Sequence, residues 1–150
     1  MSTAERRWPD LAGRFEERTH ILPVRVYYED TDFSGIVYHA NYLKFIERGR
    51  SDFLRLKGLH HHEMEAGKHG PPLVFAVRKM EIEFLKSARI DDALVIHTRL
   101  NAVRGARINM QQSVWRGEEK LFEAEVMIAV ITPEGWPVRL PAALAEALNA

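Results

Sequence analysis

The chain has 150 residues, with 21 Lys+Arg balanced by 21 Asp+Glu, a hydrophobic share of 46 % and no cysteine. A domain of this length buries about 68–70 % of the surface its unfolded chain exposes, so one core suffices without a disulfide or metal staple. The missing cysteine excludes thiol nucleophiles, CxxC redox chemistry and Cys-rich zinc sites, and zero formal charge argues against a nucleic-acid partner, whose phosphates require surplus cations.

Residues 1–20 are charged and broken by Pro9 and Gly13, which reads as an N-terminal arm, with a single domain over residues 21–150. The arm holds no apolar run of secretory-leader length, and no stretch of about eighteen apolar residues occurs anywhere, so a cytoplasmic location without a membrane span is expected. From Leu22, the residues Val24, Val26 and Tyr28 alternate with Arg25, Tyr27 and Glu29, the period-2 mark of a strand, which stops at the turn-rich run 30–35. Residues 41–57 place Tyr42, Phe45, Ile46, Gly49, Phe53 and Leu56 at helical spacing, with Leu43 and Leu54 widening the stripe. Lys44, Glu47, Arg48, Arg50, Asp52 and Arg55 take the other face, Glu47 and Arg50 as an ion pair, and Gly58 supplies the stop. A polar loop is expected over residues 59–72.

Alternation then dominates: Val74, Ala76, Met80, Ile82 and Phe84 share one phase, Leu94, Ile96 and Leu100 a second, Ile108, Met110 and Val114 a third, and Phe122 to Val130 a fourth. Gly105 and Gly117 fall where short hairpin turns belong. Pro133, Gly135 and Pro137 close the last strand, and residues 141–148 suit a short terminal helix. The order β-α-β-β-β-β predicts an α+β fold in which a five-stranded antiparallel sheet wraps one long helix, since a doubly wound parallel sheet needs repeated βα crossovers. Phe75, Val77 and Trp115 are left on the outer side, which points to a homo-oligomer.

Chemistry concentrates in residues 24–50, VRVYYEDTDFSGIVYHANYLKFIERGR. Asp30 and Asp32 stand where a strand ends, and the chain enters a helix near His39. A carboxylate facing the positive end of a helix suits acyl transfer, where amides of the first turn stabilise oxyanion charge. Asp30, Asp32, Ser34 and Gly35 also fit the first ligand positions of an EF-hand loop, but Asn41 stands where its bidentate Glu belongs and a strand precedes the loop. The plainest reading makes both aspartates turn-formers.

The run from Tyr27 through Leu43, followed by Glu47, Arg48 and Arg50, closely resembles the YbgC-like branch of the hot-dog-fold acyl-CoA thioesterases, relatives of 4-hydroxybenzoyl-CoA thioesterase. Downstream, PLVFAVRKMEIEFLKSARIDD and the Arg104-Gly105 turn look like the same branch, so the resemblance spans residues 22–140. Gly49 departs from the family's alanine. The resemblance implies Asp32 as catalytic carboxylate, either attacking the thioester carbonyl or acting as base for water. A carboxylate near its ordinary pKa is a poor base at neutral pH, which favours attack. It further implies the His39 amide as oxyanion donor, and Tyr28 is a candidate to orient Asp32. Asp30 is read as fixing the turn.

The implied function is hydrolysis of small or short-chain acyl-CoA, aromatic hydroxyacyl groups included, with no cofactor beyond the CoA of the substrate, in a dimer or homotetramer. A rival reading is a binding module for acyl-CoA or acyl carrier protein in lipid and cell-envelope machinery. His60, His61, His62, Glu63 and His69 lack the HExxH spacing, so no metal is expected. Arg78, Lys79, Lys86, Arg89, Arg104 and Arg107 are candidate contacts for CoA phosphates.

Overall fold

The computed structural model describes residues 11–150. Its strands are β1 (Arg14–Glu16), β2 (Thr19–Arg25), β3 (Val74–Phe84), β4 (Ala93–Arg104), β5 (Arg107–Arg116) and β6 (Glu119–Ile131), and its helices α1 (Asn41–Leu56), α2 (His61–Glu65) and α3 (Ala142–Asn149). The strands form one antiparallel sheet in the order β1-β2-β4-β5-β6-β3. α1 packs against β4, β2 and β5, while β3 lies at the far edge and pairs with β6.

The sheet has six strands where the sequence predicts five. The extra strand comes from the expected arm: Arg14 pairs with Ile21 and Phe15 with His20, so residues 14–20 belong to the sheet. The first ten residues of that arm lie outside the described residues. Asp52 of α1 holds the added hairpin, its Oδ2 accepting the Gly13 N–H at 2.7 Å and lying 2.7 Å from His20 Nε2. His20 is fully buried, and its ring packs edge-on with Phe15 and Phe53. The strand expected to run to Tyr28 ends at Arg25, because Val26 turns its N–H to the Asp92 carbonyl and Tyr28 enters a 3-10 turn.

α1 buries Tyr42, Phe45, Ile46, Phe53 and Leu54 as its periodicity demands, but Leu43 and Leu56 stay 37 % and 43 % exposed. Two residues assigned to the wet face are buried, Asp52 and Arg50. Arg50 does not pair with Glu47: its Nη1 donates to Gln112 Oε1 at 3.0 Å, and Glu47 accepts from Ser51. Gln112 in turn donates to the Ile46 carbonyl and to Thr98 Oγ1, so a polar relay crosses the helix–sheet contact fully bonded. Gly49 permits that approach, since a Cβ there would come within 2.8 Å of Ile96 Cγ2 and 2.9 Å of Thr98 Oγ1. The helix closes as a Schellman motif, with Leu59 N–H on the Leu54 carbonyl and Gly58 N–H on that of Arg55.

The segment expected as a polar loop contains α2, because Leu59, Met64 and Leu73 are all buried and pull it onto the core. Its histidines diverge: His61 meets the Phe75 ring edge-on and His69 faces Glu63 at 3.5 Å. Phe75 and Val77 lie on the helix side of the sheet, opposite Val130 and Ile128, rather than on the outer side. The cause is a bulge between Val77 and Lys79, which shifts the register by one residue and reverses the faces for Val74 and Ala76 relative to Met80, Ile82 and Phe84.

Candidate active site

The loop that follows Val26 is a chain of nested turns. Asp30 Oδ2 accepts the Tyr27 N–H at 2.8 Å, which caps the 3-10 turn Tyr28–Asp30, the turn-fixing part expected of this aspartate. Thr31 and Val37 then form an antiparallel bridge across the tip. Within it the Asp32 N–H donates to the Ile36 carbonyl at 2.9 Å and the Gly35 N–H to the Asp32 carbonyl at 3.1 Å. Gly35 has φ +85°, a conformation that costs a residue with a Cβ roughly 1 kcal/mol.

One oxygen of the Asp32 carboxylate is committed to this turn. Oδ1 accepts from the Ser34 hydroxyl at 2.5 Å and from the Ser34 N–H at 2.8 Å, whereas Oδ2 has no hydrogen-bond partner among the described residues. The Ser34 hydroxyl, then the Ser34 amide, hold the carboxyl below its ordinary pKa, so Asp32 is ionised at neutral pH. The side chain presents one fixed oxygen and one free one.

Opposite stands the start of α1. Its N-cap is Ala40, which has no side chain to bond the first-turn amides. No acidic residue sits in that turn to neutralise the positive end of the helix dipole. The Asn41 N–H donates to the Tyr38 carbonyl, and the His39 N–H has no backbone acceptor among the described residues. The His39 ring rests against Tyr38 at 4.5 Å and meets Phe84 edge-on at 6.2 Å.

A cleft of about 250 Å³ joins these parts, lined by Asp32, Ile36, Val37, His39, Tyr42, Phe84, Leu85, Lys86 and Ser87. The structure therefore brings Asp32 and His39 together but leaves Tyr28 out: that side chain is 81 % exposed and makes no hydrogen bond to Asp32. Of the six candidate phosphate contacts, Lys86 lines the cleft, and Arg89 lies beside it through its bridge to Ile36. Arg104 and Arg107 flank the β4–β5 turn, and the row through Arg107, Ala129 and Ala76 is eight residues along β3 from Phe84, roughly 25 Å away. Tyr42, Phe84 and Ser87 are lining residues that sequence spacing does not single out, because tertiary packing alone brings 84–87 to the helix start. A larger hollow of about 370 Å³ on the outer face is lined by Glu81, Glu83, Glu123 and Glu125, which would repel an anionic thioester. Among the described residues no group of three or more His, Asp or Glu is placed to hold a metal ion.

Residues 34–123 match the family model of the thioesterase superfamily. The chain belongs to that superfamily. Its similarity to other superfamily members is extensive. It is 43 % identical over 112 residues to the acyl-CoA thioester hydrolase YbgC of Escherichia coli O6:H1, covering 74 % of this chain and 81 % of that protein. It is 38 % identical over 110 residues to the acyl-CoA thioesterase YbgC of Haemophilus influenzae, covering 73 % and 79 %. The crystal structure of a probable thioesterase from Bartonella henselae superposes with a TM-score of 0.79 at 50 % identity, over 82 % of this chain and 99 % of that one. The structure of 4-hydroxybenzoyl-CoA thioesterase from Pseudomonas sp. strain CBS-3 shares the fold, with a TM-score of 0.78 at 19 % identity over 87 % and 99 %. The α+β hot-dog architecture expected from the sequence is thus the one observed.

Proposed function

We propose that the protein hydrolyses small acyl-CoA thioesters to the free acid and CoA, with Asp32 as the catalytic carboxylate and the amides at the His39 start of α1 as the oxyanion donors. The observation that carries this reading is the pairing, in one cleft, of an ionised carboxylate having a free oxygen with an uncapped helix start. The thioesterase superfamily supplies the reaction class and the YbgC relatives the acyl-CoA substrate. Binding sets the carbonyl oxygen at the helix start, and Asp32 Oδ2 attacks the carbonyl carbon. The tetrahedral oxyanion is held by N–H donors and collapses with loss of the CoA thiolate, which takes a proton from water. A water molecule then cleaves the acyl–Asp32 anhydride and regenerates the carboxylate. A depressed pKa favours this nucleophilic course over base catalysis, because it keeps the group ionised while weakening its pull on a proton. No cofactor enters any step.

Among the described residues no strand pairs with the outer edge of β3, which supports assembly of two copies. Val77, Phe84 and Leu85 are 45 %, 51 % and 43 % exposed there, and Phe84 and Leu85 line the Asp32 cleft, so a second copy at this edge would complete its wall. Among the described residues no helix is long and apolar enough to cross a membrane, and we place the enzyme in the cytoplasm with the acyl-CoA pool. A panel of short-chain, long-chain and aromatic acyl-CoAs, assayed for CoA release beside a binding assay with acylated carrier protein, tests the reading. Turnover on at least one acyl-CoA is expected; binding of the carrier with no hydrolysis of any thioester would favour a binding module instead.

A further inference from the structure

The first residue of α1 faces backwards. Asn41 is buried, 8 % exposed, and its Nδ2 donates to the Asp30 carbonyl at 2.8 Å. The same carbonyl accepts the Tyr38 N–H at 3.0 Å, and the Asn41 N–H returns to the Tyr38 carbonyl at 2.8 Å. Asp30, Tyr38 and Asn41 thereby form a closed ring of three hydrogen bonds. Two residues beyond Asp30 stands Asp32; two residues before Asn41 stands His39. The remaining bonds of Asp32 run to Ser34, Ile36 and Gly35 inside its own turn, and the Ile36–Val37 limb of that turn is anchored to residues 88–89, through the Val37 N–H on the Ala88 carbonyl and the Ile36–Arg89 bridge, not to the helix. The Thr31–Val37 bridge ties the two limbs of the loop to each other, not to the helix. Among these side chains, Asn41 is the one that reaches from the helix to the limb carrying the carboxylate.

We propose that Asn41 is a positioning residue, whose side-chain amide fixes the separation between the Asp32 carboxylate and the oxyanion donors at the start of α1. The inference rests on the proposed roles of that carboxylate and that helix start. An asparagine suits the task because it must donate to a carbonyl while its backbone enters the helix; an aspartate of the same shape would set a carboxylate oxygen against the Asp30 carbonyl oxygen. Loss of one neutral hydrogen bond is a small change in stability, since Tyr38 still satisfies the carbonyl. Its effect on rate is larger, because a displacement of about 1 Å between reacting groups costs roughly a hundredfold.

The test compares Asn41→Ala and Asn41→Asp with the parent enzyme, with Asp52→Asn as a variant weakened at the other end of the same helix. Steady-state kinetics on the best acyl-CoA are normalised to folded protein. Both Asn41 variants are expected to lose about ten- to a hundredfold in kcat, with KM within about threefold. The acid limb of the Asn41→Ala profile stays in place, because the Ser34 bonds that set the ionisation of Asp32 are local to its turn. Asp52→Asn is expected to melt earlier yet keep its kcat. Asn41→Asp keeps the side-chain volume, so it serves if the alanine variant does not fold. Unchanged kcat in both folded Asn41 variants overturns the inference, as does a drop in kcat no larger than that of Asp52→Asn. Asp32→Asn, run in parallel, separates the two levels: lost hydrolysis there with normal Asn41 variants refutes the brace alone, whereas hydrolysis retained by Asp32→Asn refutes the reading of the site and the brace with it.

Discussion

Asp32 is kept ready by its neighbour rather than by burial. Ser34 gives it two hydrogen bonds to a single oxygen, and these hold the pKa below the ordinary carboxylate value. Removing the hydroxyl takes away the stronger of the two influences, so Ser34→Ala moves the pKa upwards. On the proposed role of the ionised form, the acid limb of kcat/KM shifts to higher pH; a limb that stays put would contradict the assignment. Gly35 is the second sensitive residue. Gly35→Ala strains a φ of +85° and displaces the turn that presents Asp32, so we expect a loss of about 1 kcal/mol in stability and a disproportionate loss in kcat, read by thermal melting and steady-state kinetics on one sample. The local motif made Asp32, Gly35 and His39 legible, because their chemistry is written within one loop. What Tyr42 and Ser87 line is not, since it is set by how the helix docks: Tyr42 Oη accepts the N–H of Ala88, 46 residues away. Asn41 stands in the same motif, and only its bond to the Asp30 carbonyl needs the structure.

At the scale of elements, α1 fixes both the sheet hairpin and the site. Its C-terminal half carries Asp52, which accepts from Gly13, lies 3.2 Å from Arg55 Nη1 and meets the buried His20 at 2.7 Å. An amide in place of this carboxylate weakens the bonds to Gly13 and His20 and loses the contact with Arg55, so Asp52→Asn is expected to cost about 2 kcal/mol and to lower Tm by roughly 4–8 °C. A melting temperature within a degree or two of the parent would show that the hairpin is held by other contacts. Long periodic elements were legible in the sequence: α1, the two glycine hairpins at 105 and 117, and strands β4 to β6. β1 was not, because three residues are too few to show alternation, and the hairpin that carries it is docked by Asp52, which reads as a surface charge in a helical wheel. Alternation alone gives the first residues of β3 the wrong phase, because the bulge leaves no mark in composition yet reverses which of Val74, Phe75, Ala76 and Val77 face the helix.

For the whole molecule, the open β3 edge and the cleft beside it are one feature. Phe84 belongs to both, half-exposed on the edge and lining the hollow that holds Asp32. Assembly through this edge predicts that Val77→Lys shifts the protein to monomers in sedimentation and lowers turnover with it; a parent chain that sediments as a fully active monomer would refute that coupling. The balanced overall charge fits a small anionic substrate met by a few local cations such as Lys86. The most direct test of the central claim is a paired measurement of acyl-CoA hydrolysis and melting temperature for Asp32→Asn and Asp30→Asn. Asp32→Asn should melt close to the parent and lose nearly all turnover, while Asp30→Asn, deprived of its full charge on the Tyr27 amide, should melt earlier and retain turnover per folded molecule. Full hydrolysis by Asp32→Asn would contradict the assignment of that carboxylate.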